Sequence, residues 1–406
     1  MFRLALALLV LSTAGVARAQ DPPVPQQRAP ARPFRDFRQQ ATPYAGPGRE
    51  NTLAVDVTEV LLGYFGPSDP DHPDGGDLWK AAELAVCQAN AQGGYLGKPF
   101  RLVASWSEDP WRAGIAGIAR MAYRDHVWAI VGGSDGPTAH LAEQVAVKAR
   151  MPLVCPSSSD RTANMANVPW MFSVLPGDHL QAPILAAVLT TRSGRHGYTF
   201  LSSPDHDARL FLAELERALK RHQSAPRFTH VLAPGDPEMG AVVHQVVSDD
   251  VGAVVIAAGP ADSARFVREL RAAGFRGLIL GGHSMGRRQF LAAAGPAAEA
   301  VLFPMLCEPA AMPASFRLEF ETRYHVPPDY AAASTYDALN LLIAAIRRGG
   351  LNRAKIGDAL GALSPYPGVT GTIAWDKLGG NTRPVVLGTI LAGEVVKFEG
   401  TNAGSR

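Results

Sequence analysis

The stretch WKAAELAVCQANAQGGYLGKPFRLV (79–103), continued by DPWRAGIAGIARMAY (109–123), VWAIVGG (127–133) and SDGPTAHLAEQVAVKARMPLVCPSSS (134–159), decides the fold. It reads as two helix–strand units in tandem. Gly93–Gly94 closes the first helix, and the apolar runs 100–106, 127–133 and 152–156 are strand-like. Two polar loops, Ser134–Thr138 and Ser157–Ser159, each follow one of these strands. In an open parallel sheet, ligands sit outside the carboxyl ends of the strands. The stretch therefore offers backbone N–H groups and hydroxyls to a small polar molecule, without a matching catalytic group.

The alternation extends in both directions. TEVLLGYFG (58–66) precedes the stretch and WMFSVLPGD (170–178) follows it; YTFLS (198–202), THVLA (229–233), GAVVIAAG (252–259) and LILGG (278–282) then form a second series. Amphipathic segments separate them, such as RLFLAELERALKRH (209–222), in which Leu210, Leu212, Leu215 and Leu219 suit one helical face. Alternating strands and helices with short connections predict parallel sheets covered on both sides, and two series predict two similar lobes. The last third is mainly helical (314–325, 330–349, 353–363) and ends in short strands.

This order of segments, with RELRAAGFRGLILGG (268–282), ASTYDALNLLIAAIRRGGLNRAKIGDALGAL (333–363) and PGVTGTIAWDKLGGNTRPVVLGTILAGEVV (367–396), resembles the leucine/isoleucine/valine-binding family of type I periplasmic solute-binding proteins. The resemblance covers roughly residues 55–400 and implies an α/β fold of two doubly wound parallel-sheet lobes joined by a three-segment hinge. It places lobe one at 52–177 and 307–380 and lobe two at 178–306 and 381–400, with crossings near 176–180, 304–308 and 378–384. It also implies a small-molecule ligand (an amino acid, amide or organic acid) and, as partner, an ABC permease in the inner membrane.

Export is expected on independent grounds. Residues 1–19 carry Arg3, the apolar run LALALLVLSTAGV and the small-residue site Ala17-Arg18-Ala19, the pattern of a secretory signal peptide. The mature chain is then periplasmic, with no direct membrane insertion. Residues 20–51 are rich in Pro, Gln and Arg without periodicity and are expected to form a disordered leader. A net charge of +2 over 406 residues, with no basic stripe interleaved with aromatics, argues against a nucleic-acid partner. Cys87, Cys155 and Cys307 are widely spaced and read as buried free thiols. No P-loop, G-x-G-x-x-G or H-E-x-x-H occurs, so neither cofactor nor metal is expected.

The candidate binding residues are Asp74, Trp79, Asp135, Gly136, Thr138, Ser157, Ser159, Asp207 and His283. The loop Ser134–Thr138 precedes a helix whose exposed N–H groups attract anions, and Pro137 suits its first turn. The same residues also suit plain helix capping by Ser134 or Asp135. By resemblance, Gly136 stands where amino-acid binders carry a carboxylate-binding Ser, while Ser157 and Ser159 match positions that hold the same carboxylate. Asp74 and Asp207 take the places of common aromatics. His283 stands where the acid that pairs with a ligand ammonium is found. Trp79 and Trp106 are the aromatics available to line a cleft, though each also suits a core position. The expected ligand is a small organic acid or amide with its polar end at the two loops.

One competing signal is Gly282-His283-Ser284-Met285-Gly286, a G-x-S-x-G run directly after an apolar strand, as in a hydrolase nucleophile elbow. A serine esterase would need a later acid and then a histidine. Only His325 follows Ser284, with Glu308, Glu319 and Glu321 between them, and no oxyanion segment precedes the site. A sensory or scaffold protein that keeps the fold without transport is the other alternative.

Overall fold

The computed structural model describes residues 44–50, 57–165 and 168–400; the expected signal peptide lies outside them, as does the expected leader apart from residues 44–50. The first series runs β1 (Val60–Phe65), α1 (Gly76–Ala91), β2 (Phe100–Ser105), α2 (Ile115–Tyr123), β3 (Ala129–Gly132), α3 (Gly136–Ala149), β4 (Leu153–Cys155) and β5 (Met171–Pro176). The second runs α4 (Asp178–Arg192), β6 (Tyr198–Ser202), α5 (His206–Lys220), β7 (Thr229–Val231), α6 (Met239–Ser248), β8 (Ala253–Ala257), α7 (Pro260–Ala272), β9 (Leu278–Gly281), α8 (Arg288–Ala294) and β10 (Leu302–Met305). Then follow α9 (Ala314–Tyr324), α10 (Tyr330–Gly349), α11 (Arg353–Ala362), β11 (Tyr366–Gly368), β12 (Gly371–Ile373), β13 (Gly380–Asn381), β14 (Val386–Leu391) and β15 (Glu394–Lys397).

These strands build two large sheets, one per lobe. The first has the order β13-β5-β4-β3-β1-β2 and is wholly parallel. The second has the order β15-β14-β10-β9-β8-β6-β7, with β14 and β15 antiparallel at one edge. The chain passes between the sheets after β5, after β10, and between β13 and β14. Strands such as AVVIA of β8 are buried at every position, the pattern expected of a sheet covered on both faces.

The helical return segment explains the size of the first lobe. In α10, Leu339, Leu342, Ile343 and Ile346 pack with Leu62 of β1, Val131 of β3 and Ala82 and Ala85 of α1. In α5 the buried face is Phe211, Leu212, Leu215 and Leu219; Leu210 sits half-buried at its shoulder, because the 3.6-residue repeat turns Phe211 inward instead. Residues 44–50 depart from the disordered reading. Tyr44 packs on Trp170 with ring centroids 4.8 Å apart, Asn352 Nδ2 donates to Gly48 O at 2.8 Å, and Arg49 pairs with Asp358. All three cysteines are free, but Cys87 is exposed on the outer side of α1, against the expectation of burial. Among the described residues, no helix is long and apolar enough to cross a membrane.

Candidate functional site

A cavity of about 390 Å³ lies between the lobes, walled by loops that leave the carboxyl ends of strands in both sheets. The first lobe contributes the turn before α1 (His72, Asp74), Trp106 and Glu108 after β2, Ser134 and Asp135 after β3, and Ser157 and Ser159 after β4. The second contributes Asp178 at the start of α4, residues 205–208 and Phe211 after β6, Ala257–Pro260 after β8, and Gly282–Ser284 with Arg287 after β9. A larger cavity, about 720 Å³, lies beneath Tyr44 and Pro47. It lies at the amino ends of β1 and β3, away from the carboxyl ends that face the cleft, and its Arg353 guanidinium is already spent on the carbonyls of Ala122, Val127 and Ala149.

The α3 N-terminus shows how closely the lobes meet. Asp135 caps it, accepting the Thr138 N–H at 2.8 Å, while the Thr138 hydroxyl accepts the Asp135 N–H at 3.2 Å. Thr138, expected at the ligand, is thereby fully buried in a capping box and is not part of the cavity wall. Gly136 is also absent from the cavity wall. Its N–H donates to both carboxylate oxygens of Asp207, at 3.0 and 3.1 Å, across the cleft. The anion at this helix end is the protein's own side chain, so the expected ligand carboxylate finds its place filled. Burial, reinforced by nearby Asp135, pushes the Asp207 carboxyl up to about 7.

The serine loop is similarly self-satisfied. Ser157 Oγ donates to Ser134 O at 3.0 Å, and the Ser159 carbonyl accepts the Asp178 N–H at 3.0 Å. Asp178 is 3% exposed and its Oδ1 has no hydrogen-bond partner. Burial raises this carboxyl well above its ordinary value, which the Ser159 hydroxyl only partly offsets. Trp79, expected at the cleft, instead packs edge-on against Tyr64 in the first-lobe core, centroids 5.0 Å apart. Its position within the first turn of α1 turns the ring toward β1. Trp106 is the tryptophan of the cavity wall, its ring tilted against Phe65 with centroids 5.7 Å apart and its N–H donating to Glu108 at 3.1 Å.

His283 lines the cavity with Nδ1 3.1 Å from Gln181 Oε1, its ring edge-on to Tyr330. Burial and the neighbouring Arg287 push its pKa down to about 4, so it is a neutral imidazole at neutral pH. The adjacent Ser284 hydroxyl donates to Ala258 O at 2.7 Å, on a short 3₁₀ turn between β9 and α8.

Residues that the sequence did not single out hold the cleft shut. Arg287 is buried and donates through Nε to Asp329 Oδ2 at 2.6 Å and through a terminal nitrogen to Asp74 O at 3.2 Å. Burial works against this guanidinium, yet Asp329 beside it holds its pKa above the ordinary value. Arg288 makes a fork to Asp77 of α1 at 3.0 and 2.8 Å. On the opposite side, His206 Nε2 of α5 lies 2.9 Å from Asp160 Oδ2, and Arg161 lies 3.6 Å from Glu214. His140 shares the same Asp160 oxygen at 2.9 Å, and the carboxylates of Asp160 and Glu143 push His140 up to about 9. Asp160, despite burial, is held well below the usual carboxylate range by His140, Thr162 and His206. These residues are spread along the sequence with no motif spacing, and only the closed lobes bring them together.

The cavity wall is thus rich in carboxyls: Asp74, Glu108, Asp135, Asp178, Asp205 and Asp207. Its one guanidinium, Arg287, is already paired. Such a wall favours hydrogen-bond donors and cations over anions.

Comparison with known proteins agrees with this architecture. The chain is 22% identical over 336 residues to a Leu/Ile/Val-binding protein homologue from Brucella melitensis, covering 80% of this chain and 89% of that one. Among solved structures it resembles the branched-chain amino acid transporter substrate-binding protein LivJ from Streptococcus pneumoniae, in complex with isoleucine (TM-score 0.75, 21% identity, 84% of this chain and 99% of that one). It also resembles a solute-binding protein of an ABC transporter from R. palustris, in complex with benzoate (TM-score 0.73, 16% identity, 84% and 95%). At these identities the structures speak to the fold alone. The family profile described as periplasmic binding protein matches residues 66–394, and the chain belongs to that family.

Proposed function

We propose that this protein is an exported, non-catalytic solute receptor that traps a small polar organic molecule between its lobes and presents it to an ABC permease of the inner membrane. The observation that carries the reading is the cavity of about 390 Å³ walled by both lobes. Its size falls within the ~300–1,000 Å³ of small-molecule sites. The solute presents an N–H or ammonium end to the wall. Two features support this: Asp207 already fills the anion position on α3, and the buried Asp178 Oδ1 lacks a donor. A cationic donor there offsets the cost of burying the carboxylate. The exposed Glu108, 3.4 Å from His72, gives the cavity a polar rim.

Calorimetry and thermal shift against branched-chain amino acids, amides, aromatic acids and simple amines test this, since a solute bound to the folded state raises its melting temperature. Amines or amides are expected to shift wild type and to lose affinity in Asp178→Asn. Binding of an aromatic acid or leucine that Asp178→Asn leaves unchanged would refute the donor-end reading. A second reading, a scaffold or sensor without transport, is favoured by one feature, the closure of the lobes on their own side chains. No response to any solute class would support it over transport.

A further inference from the structure

Beside the cleft, three side chains from two lobes meet at one point. His140 comes from α3, Asp160 from the loop after β4, and His206 from the first turn of α5. Both Nε2 atoms lie 2.9 Å from Asp160 Oδ2, and the three ligand atoms fall within 4.8 Å of one another. Asp160 is fixed in this pose because its other oxygen accepts the Thr162 N–H at 2.7 Å and the Thr162 hydroxyl at 2.6 Å. The remaining ring nitrogen of His140, Nδ1, faces Glu143 Oε2 at 3.6 Å. The imidazoles retain about a quarter to a third of their exposure, which leaves an entry path.

We propose that His140, Asp160 and His206 form a site for a divalent transition metal of the zinc class, shared by the two lobes. Two imidazoles and one carboxylate oxygen suit zinc or its neighbours rather than calcium or magnesium, which take oxygen ligands almost exclusively. Three protein ligands with a fourth position open is a common zinc arrangement. With metal–ligand bonds of about 2.0–2.2 Å in a tetrahedron, the ligand atoms stand roughly 3.4 Å apart. The two 2.9 Å separations from Asp160 Oδ2 need to widen by about half an ångström, and the two imidazole nitrogens, within 4.8 Å of each other, need to settle at a similar spacing to share the ion. Glu143 stands where a carboxylate orients a ligating histidine from behind. Space at the site is reserved by Gly136, since a Cβ there would come within 2.9 Å of Asp160 Oδ2.

The consequence is a metal-dependent closure, whatever the solute. The open protein offers the ion only His140 and Asp160, and the closed protein adds His206. The ion binds the closed form more tightly and shifts the lobes toward it, and by linkage any closing solute tightens the ion.

The test is zinc titration of tag-free, chelator-stripped full-length mature protein by calorimetry, with small-angle scattering to follow closure. Wild type is expected to bind one zinc ion per chain. His206→Ala is expected to weaken it by at least ~100-fold, and Glu143→Gln by about 10-fold, the lower end for an outer-shell partner. His206→Gln keeps a hydrogen bond to Asp160 but not the ligand, so it should close like wild type without zinc yet not bind the ion. Zinc-induced compaction should vanish in both His206 variants. Unchanged zinc affinity in His206→Gln, or no stoichiometric binding by wild type below millimolar zinc, would overturn the proposal and leave the cluster a hydrogen-bonded clasp.

Discussion

Adding a single methyl group at Gly136 should open the protein. Gly136 sits at the start of α3, and an added Cβ would fall 2.8 Å from His206 Cδ2 and 2.9 Å from Asp160 Oδ2, and closer still to Asp207 Oδ1. Ordinary van der Waals contact begins near 3.4 Å, so His206 and Asp160 would each have to retreat by roughly half an ångström while Asp207 leaves its place. The closed form then loses the bifurcated hydrogen bond from Gly136 N–H to the Asp207 carboxylate. Hydrogen bonds to charged groups contribute about 1.5–3 kcal/mol. The freed carboxylate regains water, so the lower end applies, about 1.5 kcal/mol, or roughly a tenfold fall in the closed-to-open ratio. Scattering from solute-free Gly136→Ala should show a larger radius of gyration than wild type, with the same helix content by circular dichroism. Gly259→Ala is the control, because a Cβ there meets nothing within 4 Å. If Gly136→Ala scatters like wild type and its crystal structure retains the Asp207 contact, the reasoning fails.

Asp178→Asn should stabilise the fold. The Asp178 carboxyl stands above its ordinary 3.8 when folded, so the folded state holds the proton more tightly than the unfolded chain. That advantage is complete below the unfolded value and is lost as pH rises through the folded one. The variant is therefore expected to gain about 1–3 kcal/mol over wild type at pH 7 and little near pH 4, read from urea midpoints at both pH values. A loss of stability at pH 7 would mean that Oδ1 has a donor after all. Among the described residues, Arg288→Ala leaves Asp77, itself 2% exposed, with Lys80 at 3.5 Å as its remaining ion-pair partner. With Arg288 about a third exposed, a loss of about 1–2 kcal/mol and a more open scattering profile are expected, and no change in either would show the fork to be ornamental. Ser284→Ala removes one hydroxyl-to-carbonyl hydrogen bond and should cost no more than about 1.5 kcal/mol, with p-nitrophenyl ester turnover equal to wild type. Turnover in wild type that disappears in the variant would revive the esterase.

Two doubly wound series were legible in the sequence because buried parallel strands are written as unbroken apolar runs. VLLGYF, AIVG, LVC and AVVIA need no tertiary information to be read. β10 was harder to see, since LFPM contains a proline and lies against the antiparallel β14. The site was legible to the level of which loops face the cleft, because strand ends determine that. It was not legible at the level of which side chain meets which. Trp79 follows a polar Pro- and Asp-rich loop and Trp106 an apolar strand, yet it is Trp79 that the first turn of α1 sends into the core and Trp106 that reaches the cavity wall. Thr138 reads as a donor for a ligand until the capping box consumes it. His140, Asp160 and His206 are 20 and 46 positions apart, and the cross-lobe pairs of Arg287 and Arg288 span 42 and 211. Such contacts depend on the angle between the lobes, which no local pattern encodes.

The helix α10 begins at the cleft and ends far from it. Its N-cap, Asp329, is the acceptor for Arg287 and for the Arg288 N–H. Its 20 residues make a rod about 30 Å long. Just past its far end, Asn352 holds Gly48 and Asp358 holds Arg49. An α10 that moves as a rod would carry a loss of the Arg287–Asp329 contact at one end to the anchorage of residues 44–50 at the other. Hydrogen exchange in 353–362 should then respond to mutation of Arg287, although no residue there touches the cavity between the lobes. The outer surface of the first lobe would carry a readable sign of whether the cleft is open or shut.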